Sequence, residues 1–326
     1  MKAITTINTN RSRRAAAIGG IIVKADVSTG WRGAVVAYLA QKDVGSEETR
    51  KTYRKALTQY FLWTDMTQRD VSGLTAVDIL EYKDYLTETR HCSSMTVSTY
   101  MTALRGFYEW AESTKIYPNI ARNVRTGHDS EHIKMHLTRT QTGRLLDYFR
   151  ERNPRDYAMI NLMLRCGLRT IGVRRADIRD ISVIEGRRVL YIQGKGKKDK
   201  KRWVVLRDAA YGPIRDYLDG REDTGPAAPL FVGQGKGSRG RRLSTRTIQD
   251  ICKRGLRAIG LDSHQYSAHS LRHTAGVRII NNGGTVADVQ EVLGHASIDT
   301  SRIYLRSANT DIRLANPAER FLDKID

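Results

Sequence analysis

Hydrophobic positions in the first third of the chain recur with helical spacing. In residues 48–64, Tyr53, Leu57, Tyr60 and Phe61 fall on one face, with Arg50, Lys51, Arg54 and Lys55 in the same segment. Residues 94–113 are more regular: Val97, Tyr100, Met101, Leu104, Phe107, Tyr108 and Ala111 recur at i, i+3, i+4 and i+7, as in an amphipathic helix. A third helix is expected near residues 75–89, which makes residues 31–117 a small all-α domain. Its aromatic stripe reads as core packing, because an apolar helical face of that width must be buried against its neighbours.

The periodicity then stops. Pro118 begins a polar stretch through Asn123, Arg125, Gly127, Ser130 and His136, so residues 118–136 read as an interdomain linker. Leu137-Thr138 opens a helix near 138–150, and Asn153-Pro154 opens another. Residues 187–193 and 202–206 alternate as strands, joined by a Gly/Lys hairpin from Gly194 to Lys201. A Gly/Arg stretch at 233–242 reads as a surface loop. His269 and Arg272 stand three apart, which puts them on one face of the next helix. A helix over 285–293, opened by Thr285 and stopped by Gly294, leaves His295 exposed just past its end. Tyr304 is expected on or beside a short helix starting near Ser297 or Asp299. The fold class is therefore mainly α with a small β-sheet, an α-helical domain followed by a mixed α/β domain at residues 137–306. Residues 307–326 form a tail whose Ile312, Leu314, Phe321 and Leu322 are too apolar for a solvated end; docking on a neighbouring protomer is the expectation, with packing on its own domain as the alternative.

Length and charge sharpen this. At 326 residues the chain suggests two domains. Its 55 Lys and Arg against 35 acids, a formal charge of +20, imply a polyanionic partner. Cys92, Cys166 and Cys252 are widely separated and lack metal-ligand spacing, so neither a disulfide framework nor a zinc site is indicated, and a cytoplasmic, nucleoid-associated protein is expected. His273 follows His269 by four residues, but no third ligand has suitable spacing; no metal or other cofactor is expected. Residues 1–30 outline a secretory signal, with Lys2, Arg11, Arg13 and Arg14 ahead of the apolar run Ala15 to Val23. Gly19 and Gly20 interrupt that run, so a basic arm on DNA or a short packing helix is the better reading. No stretch approaches the ~20 apolar residues of a membrane span.

The chemistry lies in six residues. Arg169, Lys195, His269, Arg272, His295 and Tyr304 bring two guanidiniums, an amine, two imidazoles and a phenol into one candidate site. Cleaving a phosphodiester without metal requires fixed cations on the non-bridging oxygens, a task suited to Arg169 and Arg272. Tyr304 is a usable covalent nucleophile once a positive field helps remove its proton, and Lys195, on a hairpin tip, is suited to protonate the expelled 5′ oxygen. This set and order resemble the tyrosine recombinase family, the integrases of phages and mobile elements together with the Xer-type resolvases, whose pattern is Arg, Lys, His-x-x-Arg, His or Trp, Tyr. The most specific piece is Leu293-Gly294-His295-Ala296-Ser297, with Tyr304 nine residues after His295. One departure stands out: family members usually carry a carboxylate three residues after the first arginine, and here that position is Gly172.

The resemblance implies an α-helical core-binding, SAM-like domain and a catalytic domain that together form a clamp on double-stranded DNA. It further implies a 3′-phosphotyrosyl intermediate at Tyr304, no ATP or metal requirement, and a homotetramer on two DNA sites passing through a Holliday junction. Arg50, Lys51, Arg54, Lys197, Lys198, Arg239, Arg241 and Arg242 are the candidate DNA contacts outside the catalytic set. The expected role is that of a mobile-element integrase or excisionase, with room for accessory DNA-bending or directionality factors. Two other readings stay open. Residues 285–306 could be a non-enzymatic helix-turn-helix with Thr300, Ser301 and Arg302 on a recognition helix. A type IB topoisomerase would share the tyrosine chemistry.

Overall fold

The computed structural model describes residues 30–41, 44–124, 135–193 and 199–315. The chain divides into two compact units, residues 1–132 and 133–326. The first is all-α. Helices α1 (Trp31–Ala40), α2 (Glu47–Met66), α3 (Ala76–Asp84) and α4 (Ser94–Ser113) surround one aromatic core. Ser46 and Ser93 cap α2 and α4 through their hydroxyls, which explains why those two helices begin where the polar-to-apolar pattern begins. The aromatic stripe is buried as core: Tyr60, Phe61, Phe107 and Tyr108 are almost wholly removed from solvent, and the Tyr60 and Tyr108 hydroxyls meet at 3.1 Å. Helix α1 has no counterpart in the periodicity reading; it is held by Trp31 stacking on Phe61.

The second unit is helical around a small sheet. Helices α5 (Arg139–Arg150) and α6 (Pro154–Cys166) open where the sequence places them, the first capped by a Thr138–Gln141 box and the second by Asn153 with proline at its first position. A short α7 (Thr170–Arg175) precedes three antiparallel strands, β1 (Ile181–Ile184), β2 (Arg187–Ile192) and β3 (Arg202–Val205), in the order β1-β2-β3. Strand β1, unrecognised in the sequence, is short and turns into β2 through Glu185 and Gly186, both at positive φ. Leu190 pairs with Val204 on the sheet face that enters the core, while Trp203 and Val205 point outward.

Helices α8 (Asp208–Asp219), α9 (Thr245–Ala258), α10 (Ala268–Asn281), α11 (Val286–Leu293) and α12 (Asp299–Ala315) complete the unit. The 17-residue α12 is no short helix: it carries Tyr304 and runs on through residues 307–315, so the tail boundary expected at 306 falls inside one continuous helix. Residues 316–326, with Phe321 and Leu322, lie outside the described residues, as do residues 1–29. Among the described residues no helix is long and apolar enough to cross a membrane.

Candidate active site

The site is built where the ends of α6 and α11 meet the middle of α10. Helix α6 ends at Gly167 in the left-handed conformation, and two residues later Arg169 stands at the N-cap of α7. Its guanidinium is half-buried and makes no hydrogen bond or ion pair among the described residues; burial pulls its pKa down, partly offset by Tyr304 nearby. Arg272, on α10, is buried and held by three hydrogen bonds. One terminal nitrogen donates to the Gly167 carbonyl at 2.6 Å, the other to the Leu293 carbonyl at 2.8 Å and to His295 Nε2 at 2.9 Å. Burial, with Arg169 and Arg202 beside it, brings Arg272 down to about 10.

That geometry fixes the His295 tautomer. A guanidinium can only donate, so Nε2 of His295 is the acceptor and the ring proton sits on Nδ1, which donates to Ser301 Oγ at 2.7 Å. Burial, then the charges of Arg272, Arg169 and Arg202, holds His295 near 4, which keeps the ring neutral. The exposure expected for His295 is therefore corrected: only 9% of it is exposed, because Gly294 at φ 62 turns the chain inward at the end of α11.

Tyr304 packs on α10 with its ring in contact with two histidines. His295 stacks on it, centroids 5.8 Å apart and planes 11° off parallel, and His273 meets it at 4.9 Å, tilted by 37°. Gly276 leaves the room: a Cβ there would sit 2.4 Å from Tyr304 Cδ1. Burial raises the phenol's pKa, while Arg272 and Arg169 pull it back down. Tyr304, Ser301 and Ala308 form the buried side of α12, so Ser301 is unable to read DNA, while Thr300 and Arg302 are exposed.

The remaining predicted residues stand as follows. His269 is exposed at the start of α10, one turn before Arg272. Lys195, Lys197 and Lys198 lie outside the described residues. Position 172, the usual place of the acidic partner of Arg169, packs on Ile192 and has no carboxylate. Asp177 does not take its place. It accepts Lys200 at 2.8 Å and Arg242 at 2.5 Å, and these two cations hold it below the usual carboxylate range against the cost of burial. Arg242 also donates to the Arg174 and Ala176 carbonyls, so much of its guanidinium is spent inside the protein. Arg239, Arg241 and Arg54 are exposed; Lys51 is exposed beside Glu48, and Arg50 donates to the Gln41 carbonyl.

Two residues escaped the sequence reading. His273 was weighed only as a metal ligand, yet it flanks Tyr304, bonds Ser307 of α12 at 3.2 Å and is held near 4 chiefly by burial. Arg202, the first residue of β3, belongs to the same cation cluster, since it depresses both Arg272 and His295. No carboxylate pairs with Arg169, Arg202 or Arg272 among the described residues; Arg202 is turned to the Glu291 and Val292 carbonyls, and Arg169 and Arg272 are left to meet an anion supplied from outside.

Comparison with known proteins agrees. A family profile described as "Phage integrase family" matches residues 135–311, and one described as "Phage integrase, N-terminal SAM-like domain" matches residues 33–117. The chain belongs to the phage integrase family. It is a tyrosine recombinase, an enzyme of site-specific DNA strand exchange. The tyrosine recombinase XerC of Caldanaerobacter subterraneus subsp. tengcongensis is 29% identical over 263 residues, 77% of this chain and 71% of that one. XerC of Pelobacter propionicus is 30% identical over 267 residues, 79% and 84% of the two chains. Among solved structures, the XerH site-specific recombinase bound to palindromic difH substrate superimposes with a TM-score of 0.70 at 19% identity, covering 96% of this chain and 95% of that one. The Tn1549 transposon integrase with transposon right end DNA gives 0.66 at 16% identity, covering 87% and 98%.

Proposed function

We propose that this tyrosine recombinase cleaves one DNA strand per protomer through Tyr304 and serves a mobile element as its integrase or excisionase. The observation that carries the mechanism is the convergence of Arg169, Arg272 and His295 on the Tyr304 ring. Arg169 and Arg272 bind the non-bridging oxygens of the scissile phosphate. The Tyr304 oxygen passes its proton to His269 and attacks phosphorus; the bond to the 5′ oxygen breaks, and that oxygen takes a proton from Lys195. His269 and His295 complete the set, His295 by holding Arg272 and flanking the nucleophile. The phosphodiester energy is kept in the 3′-phosphotyrosyl bond, so a partner's free 5′-hydroxyl can reverse the step without ATP or metal.

Four such protomers on two DNA sites exchange strands through a Holliday junction, with the α-helical domain and exposed cations such as Arg54, Arg239 and Arg241 on the duplex. Residues 307–326 link protomers in that assembly through their later part, because Ser307, Ala308 and Asp311 pack on this chain's own second unit. The test is to recover DNA bound in the native host and sequence its junctions. Paired sites flanking a discrete element are expected; a single chromosomal site would make this a dimer resolvase, and relaxation of supercoils without paired sites would favour a topoisomerase.

A further inference from the structure

Arg202 is the one guanidinium of the cluster outside the six-residue set, and its surroundings are specific. It opens β3, and Nη2 donates to the backbone carbonyls of Val292 and, at 3.3 Å, Glu291, both in the last turn of α11. The rest of the guanidinium lies over Gly294: a Cβ at that position would stand 2.5 Å from Nε and 2.8 Å from Nη1. Gly294 has φ 62, and the next residue is His295. Two arginines thus close the carbonyl end of α11, Arg272 on Leu293 and Arg202 on Val292 and Glu291. A helix C-terminus carries orphan carbonyls and partial negative charge, so both contacts are favourable and directional.

The two arginines are not equivalent. Arg272 reaches His295 Nε2 itself, whereas Arg202 bonds only to the backbone that precedes His295. Packed over Gly294, it leaves the turn little freedom to shift. His295 in turn stacks on Tyr304 and bonds Ser301, so a movement of the turn reaches the nucleophile through both contacts.

We infer that Arg202 is a positioning residue for strand exchange: by tying β3 to the last turn of α11 it fixes the Gly294–His295 turn against Tyr304. The inference rests on the proposed roles of Tyr304 and His295. It predicts a defect in geometry, not in neutralising the phosphate. A guanidinium that acts on the charge of the non-bridging oxygens loses its importance when one of those oxygens is replaced by a methyl group, whereas a residue that holds a turn does not.

The experiment compares wild type, Arg202→Gln and Arg202→Lys on a nicked suicide duplex, with either a normal phosphate or a methylphosphonate at the scissile position. Arg202→Lys, which keeps the aliphatic stem and the charge, guards against simple loss of fold. DNA affinity by gel shift is expected to match wild type. The rate of covalent capture is expected to fall by up to about 10²-fold in Arg202→Gln and by less in Arg202→Lys, with the same ratios on both duplexes. Wild-type capture rates in both variants would overturn the inference, as would a defect that disappears on the methylphosphonate, which would make Arg202 a phosphate contact. Failure of wild type to form an adduct at Tyr304 would refute the proposed function itself, and is read in the same experiment.

Discussion

Gly276→Ala probes the seat of the proposed nucleophile, Tyr304, on α10 with one methyl group. The added carbon would lie 2.4, 2.5 and 2.9 Å from Cδ1, Cε1 and Cγ of Tyr304, where ordinary contact begins at 3.4 Å, so the ring must retreat by about 1 Å. His273 and His295 contact the same ring, so the retreat displaces the phenol from its seat. Forcing a methyl into a packed site costs about 1–3 kcal/mol, and alanine returns nearly 1 kcal/mol over glycine inside a helix, so the net loss of stability is on the order of 0–2 kcal/mol. The catalytic cost is larger, since a 1 Å misplacement of a reacting group is worth up to about 10²-fold in rate. Covalent capture on a nicked duplex should drop by that order, while gel shift shows unchanged DNA affinity and thermal melting shows a folded protein. Capture at the wild-type rate would mean that the reactive tyrosine does not lie over Gly276, and the seat described for Tyr304 would not be the catalytic one.

Arg169→Ala and Arg272→Ala should both block cleavage but differ in stability. The first removes a side chain without hydrogen-bond partners among the described residues; the second strands the Gly167 and Leu293 carbonyls and His295 Nε2, at about 1–3 kcal/mol for each buried group left unsatisfied, so only Arg272→Ala should melt early. Lys195→Ala should slow cleavage by about 10²–10⁴-fold with DNA binding intact, and a 5′-bridging phosphorothiolate, whose sulfur leaves without protonation, should restore much of the rate; absence of rescue would reduce Lys195 to a phosphate contact. Folding stability should fall as pH drops from 6.5 towards 4. His273 and His295 are held near 4 by burial, below their ordinary 6.5, so in that window the unfolded chain binds protons that the native state refuses. Denaturant melts at pH 7 and pH 5 should differ less in His273→Gln than in wild type, and equal differences would show that His273 is not held neutral.

Much of this was legible in the sequence, for identifiable reasons. The helices at 94–113 and 139–150 begin at hydroxyl caps and carry unbroken 3.6-residue periodicity, so pattern and chemistry agree. Helix α1, strand β1 and α7 were missed because each is short and its partners lie elsewhere in the chain: Trp31 needs Phe61, and Ile181 needs Leu190. The candidate catalytic set stands out in the sequence because its residue types and order are unusual. Its geometry was not. The burial of His295 follows from the left-handed Gly294 together with bonds to Arg272 and Ser301, which local composition does not reveal. Arg202 looks like one more arginine among many until α11 arrives beside it, and Asp177 could be judged as a substitute for the missing acid at position 172 only once Lys200 and Arg242 were seen to occupy it.

The central claim is that Tyr304 becomes joined to DNA. A duplex carrying the recombination site, nicked beside the scissile phosphate so that the 5′ fragment escapes, is incubated with the protein in chelator, digested with protease and nuclease, and mapped by tandem mass spectrometry. The account predicts a nucleotide linked through its 3′-phosphate to the peptide containing Tyr304, and none with Tyr304→Phe. A linkage on any other residue, an adduct of equal yield from Tyr304→Phe, or cleavage that requires added Mg²⁺ would contradict it.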